Sequence, residues 1–105
     1  MKHKNIYAVL IIISFIFKAE SQNLNKEISN NGQTPYLIGQ IDKGGLQGEN
    51  YASWFTKNYE DYSTNQTVIN TISSELQNYT ITLFMGTWCG DSKKEVPRLY
   101  KVLEA

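Results

Sequence analysis

The stretch MGTWCGDSKKEVP, residues 85–97, holds the only cysteine of the chain, Cys89. Trp88 precedes it, Gly90 and Asp91 follow, and Ser92 stands three residues on, where a dithiol motif would place its second sulfur. One thiol cannot close an internal disulfide, so Cys89 is buried and inert, paired with another molecule, or free and reactive. The polar flanks Thr87, Gly90, Asp91 and Ser92 argue against deep burial. Ser92 can donate a hydrogen bond to a thiolate but cannot resolve a mixed disulfide. The chemistry open to this CxxS site is therefore exchange with an external thiol, or oxidation to a sulfenic acid. A metal site is not expected: no second thiol exists, and the single histidine, His3, lies near the N-terminus. No cofactor is called for.

Activation of such a thiol depends on what precedes and follows it. YTITLFMG (79–86) reads as a strand, with Tyr79, Ile81, Leu83 and Met85 alternating with Thr80, Thr82 and Phe84. Phe84 breaks the polar face, which predicts a central strand covered on both sides. GDSKKEVPRLYKVLEA reads as a helix from about residue 90, with Pro97 predicted to kink it near Lys93 and Lys94. Cys89 then caps the helix N-terminus, where free N–H groups lower a thiol pKa while the Asp91 carboxylate opposes the effect. Trp88 would shield one side of the sulfur and offer an apolar surface to a partner.

Upstream, YASWFTKNYEDY (51–62) carries aromatics at helical spacing, a stripe best read as core. A second helix is expected over about 67–77, with Val68, Ile72 and Leu76 on one face. Residues 22–50 read as an irregular lead-in broken by SNNGQTP and DKGGLQGEN, with YLIGQI (36–41) as a short edge strand. The first 21 residues have the layout of a signal peptide: Lys2 and Lys4, the apolar run 8–17, then Ala19 and Ser21 before a cut at Gln22. That run is too short to span a bilayer, which takes roughly 20 residues. The expected location is thus the periplasm or the exterior, with no stable membrane anchor after cleavage. The chain from Gln22 onward holds seven Lys or Arg and nine Asp or Glu, net −2, which excludes a basic nucleic-acid binder.

FMGTWCGDSKKEVPRLYKVL resembles the active-site segment of the thioredoxin-like superfamily, and is similar to a secreted bacterial branch with a TWCGDS signature. A hydrophobic strand leads in, Trp88 precedes the nucleophile position Cys89, and Pro97 falls eight residues later, at the helix-kinking proline. The resemblance implies an α/β, partial thioredoxin-like domain over residues 51–105. It covers only the N-terminal part of that fold, and the family's resolving cysteine is Ser92 here. It implies monothiol thiol–disulfide exchange, with Cys89 as nucleophile, Ser92 as hydrogen-bond donor, Trp88, Gly90 and Asp91 as the rim that contacts substrate, and a thiol- or disulfide-bearing protein or small thiol as partner. The alternative is a non-enzymatic binding or chaperone-type module of the same fold, or an inactive fragment.

Overall fold

The computed structural model describes residues 23–105. The leader expected over residues 1–21 lies outside them, so the structure lends it no support. Two three-residue strands come first, β1 (Lys26–Ile28) and β2 (Tyr36–Ile38). They pair antiparallel, Glu27 opposite Leu37. SNNGQTP makes the turn: Gln33 N–H donates to the Asn30 carbonyl at 3.0 Å, and Gly32 takes the left-handed φ of 81°.

Four helices follow: α1 (Lys43–Leu46), α2 (Ala52–Glu60), α3 (Gln66–Leu76) and α4 (Gly90–Glu104). Two begin at side-chain caps. Asp42 accepts from Gly45 N–H at 3.0 Å to start α1, and Asn65 accepts from Val68 N–H at 3.2 Å to start α3. Asn25 binds the first cap sideways. Its amide donates to Asp42 Oδ1 at 2.8 Å and its Oδ1 accepts from Asp42 N–H at 2.9 Å. Asn25 does so from φ 57°, a left-handed conformation that asparagine tolerates.

The aromatic stripe of α2 is the core, as its spacing predicts. Phe55 and Leu46 are fully buried, and with Leu37, Tyr51 and Val96 they form one cluster. Phe55 stacks on Tyr59 and meets Tyr100 of α4 edge-on, with centroids 5.8 Å apart. The α2–α4 pair is therefore the main packing unit. Buried Tyr51 donates its hydroxyl to Glu27 Oε2 at 2.8 Å, which ties α2 to β1. Burial, and then that carboxylate, push the Tyr51 phenol far above its ordinary pKa. Lys43 binds Glu104 at 2.7 Å and joins α1 to the far end of α4.

Pro97 sits inside α4 and is fully buried. A proline has no N–H, so the Lys93 carbonyl loses its partner within the helix. Asn58 of α2 replaces it, donating from Nδ2 to that carbonyl at 3.0 Å. The helix runs unbroken through the proline, and its missing bond becomes a contact between the two packed helices.

Two expectations are corrected here. The described residues are mostly helical, with one minor two-stranded antiparallel sheet, not the sheet-centred α/β sandwich of a thioredoxin-like domain. The resemblance read from FMGTWCGDSKKEVP therefore does not extend to the fold. The reason lies in residues 79–86. They carry strand-like sequence, but among the described residues no strand lies beside them: the one ladder is that of β1 with β2. Without a neighbour to complete its hydrogen-bond ladder, the segment cannot form a sheet. The core is instead built helix on helix, with the hairpin at its side.

Candidate functional site

The predicted site residues gather where the 79–86 segment enters α4. Gly86 N–H donates to Ser92 Oγ at 3.2 Å, and Cys89 N–H to the Gly86 carbonyl at 3.0 Å, so a closed turn leads into the helix. Thr87 is buried, and its hydroxyl accepts from Leu37 N–H at 3.2 Å, fastening the turn to β2. Gly86 is required by its neighbour: a Cβ there would come within 2.9 Å of the Trp88 ring. Trp88 lies over that glycine and meets Tyr36 edge-on at 5.8 Å.

Cys89 is the N-cap of α4, as expected, and is partly exposed. Its thiol pKa is lowered from the ordinary value. The largest cause is the backbone N–H of Ser92, followed by the Ser92 hydroxyl and the Asp91 N–H. Desolvation and the Asp91 charge work against the shift, the latter as the sequence predicts. Lys93 and Lys94 are not among the causes. Gly90 faces open space.

The arrangement supplies a polarised thiol and one hydroxyl. It supplies no second sulfur, and no cluster of His, Cys, Asp or Glu among the described residues that could hold a metal. Among the described residues the sheet is only the β1–β2 pair, not the one that would present a thioredoxin-type active site. The thiol–disulfide exchange reading is therefore overturned: a helix cap with one cysteine lacks the architecture that would carry it.

Sequence reasoning missed a second surface on the same segment. Phe84 is 91% exposed, Tyr79 68%, Ile81 51% and Leu83 45%, with Trp88 68% exposed at the segment's end. Ile81, Leu83 and Met85 line one small cavity with Tyr100, so alternate residues share a face, as in an extended chain. Two apolar grooves flank them. One, about 320 Å³, is lined by Tyr62, Leu83, Val96, Leu99 and Val102 together with the charged Glu95 and Arg98. The other, about 410 Å³, is bounded by Ile69, Ile72, Leu76, Tyr79, Ile81 and Leu103. Neither groove is lined by Trp88, Cys89 or Ser92. The signal was present in the sequence, since no charge or proline occurs from Gln77 to Gly90. It reads equally as an interior strand and as an uncovered one.

Scans against protein-family models, curated proteins and solved structures find no match for this chain.

Proposed function

We propose that this chain is a non-enzymatic binding module that docks a protein partner along Tyr79–Met85 and the apolar grooves beside it. The exposure of Phe84, Tyr79, Ile81 and Leu83 along one extended, uncharged segment carries the reading. Their uncovered area is on the order of 500 Å², taking about 200 Å² for an aromatic side chain. That is much uncovered apolar surface for one short segment, with Tyr79, Ile81 and Leu83 on one face and Phe84 on the other, and exposed apolar surface of this kind marks interaction sites. The Trp88 ring extends the patch toward the start of α4, as the substrate-contact role expected of it would require. Cys89 and Ser92 serve structure in this reading: the Ser92 hydroxyl closes the turn that aims the segment, and Cys89 caps the helix.

The test uses a permanently unfolded, carboxymethylated polypeptide carrying a fluorophore, together with self-association measured by light scattering. The chain is expected to bind the polypeptide, itself, or both. Burying Phe84 is worth about 1.5–3 kcal/mol, so Phe84→Asp should weaken association roughly 10- to 100-fold. A Cys89→Ser chain should bind as the parent does. A chain that is monomeric at every concentration and leaves the polypeptide's anisotropy unchanged would overturn the proposal.

A further inference from the structure

Resting on that reading, we infer that the partner is a second copy of this chain, paired antiparallel along Tyr79–Met85 about a two-fold axis through Thr82. Three observations support it. First, the backbone N–H and C=O groups of Thr80–Met85 make no hydrogen bond among the described residues. Such a row is a template for another strand, and what completes it must itself be an extended segment with free backbone groups. Second, the row has none of the guards that keep edges apart: no charge, no proline and no positive φ. The row itself carries no charge, the nearest being Glu95 and Arg98 in the groove beside Leu83, so an uncharged β-branched and aromatic segment fits along it.

Third, this chain holds such a segment, and it is self-complementary. Pairing about Thr82 sets Ile81 against Leu83, Tyr79 against Met85 and Thr80 against Phe84, each contact being made twice. These are apolar pairs and an aromatic–β-branched pair, the cross-strand contacts that stabilise sheets. An isologous interface needs this match of a patch with itself. Pairing covers the free backbone row of each copy and brings the exposed Tyr79, Ile81 and Leu83 of one face, and Phe84 of the other, against their counterparts across the axis.

Thr82 is exposed and lies on the proposed axis, so each copy's residue 82 faces its equal. Thr82→Lys and Thr82→Glu would each place like charges opposite one another. Sedimentation velocity over a concentration series reads the outcome. The parent is expected to dimerise. Each charged variant alone should raise the dimer dissociation constant about tenfold or more, and an equimolar mixture of the two should restore pairing. Rescue in the mixture also shows that the variants fold.

A parent dimer unaffected by either charge would overturn the pairing. So would an assembly that keeps growing with concentration, which would indicate open-ended stacking. A parent that stays monomeric but binds the unfolded polypeptide would refute the second copy while leaving the binding module standing. A parent that does neither refutes both.

Discussion

The bond from Asn58 to the Lys93 carbonyl should stabilise the protein only because residue 97 is proline. Asn58→Ala removes a part-buried donor at 3.0 Å and leaves that carbonyl without a partner. A net hydrogen bond is worth about 1 kcal/mol, and an orphaned acceptor raises the loss to about 1–2 kcal/mol. For a domain of this size, 1 kcal/mol moves the melting temperature by roughly 4–8 °C, so Asn58→Ala should lower it by about 4–16 °C. In a Pro97→Ala chain the restored N–H at position 97 can bond the Lys93 carbonyl within α4. Asn58→Ala should then cost under about 0.5 kcal/mol, whatever the lost proline ring costs by itself. Urea unfolding of the four chains of this cycle gives the coupling directly. Equal losses in both backgrounds would refute the assignment and reduce Asn58 to an ordinary packing residue.

Other outcomes follow from the same contacts. Gly45→Ala, which in an open helix would gain about 1 kcal/mol, should destabilise here by about 1–3 kcal/mol, because its Cβ would clash with the Asn25 side-chain amide that holds the Asp42 cap; thermal unfolding reads the sign. Asp42 has its pKa lowered first by Asn25 and then by Gly45 N–H. Its contribution is present above the ordinary carboxylate value of about 3.9 and is lost as pH falls through the lowered folded value. Asn25→Ala should therefore flatten the acid limb of stability against pH. Alkylation of Cys89 by iodoacetamide should reach half its maximal rate below the ordinary thiol value of about 8.5, and Ser92→Ala should move that midpoint upward.

Local elements were readable where chemistry and periodicity coincided. The aromatic spacing of 51–62 located α2 and its core role, YLIGQI located β2, and Gly90 onward gave α4 with Cys89 at its cap. By contrast β1, its hairpin with β2, and α1 inside the turn-like DKGGLQGEN were not legible in the irregular 22–50 stretch. The fold failed at one point, the partner of residues 79–86. Alternating β-branched and apolar residues show that a segment suits a ladder, but not whether another strand lies beside it. The motif around Cys89 compounded the error, since a thiol at a helix N-terminus has the same local signature in many architectures. The Asn58–Lys93 contact was hidden for a different reason. Pro97 announces an orphaned carbonyl, but only the packing of α2 on α4 reveals its donor.

The bond from Leu37 N–H to the Thr87 hydroxyl joins residues 50 positions apart, which has a consequence for the order of folding. As the chain emerges during synthesis, β1 and β2 can pair at once, since their turn is local. Leu37 cannot be buried until the turn before α4 has been made, and Phe55 waits in the same way for Val96 and Tyr100. Closing such long loops carries an entropic cost that local helices avoid. The growing chain therefore displays an aromatic helix and an open hairpin until α4 arrives, and docking of that helix is the step that makes the fold cooperative.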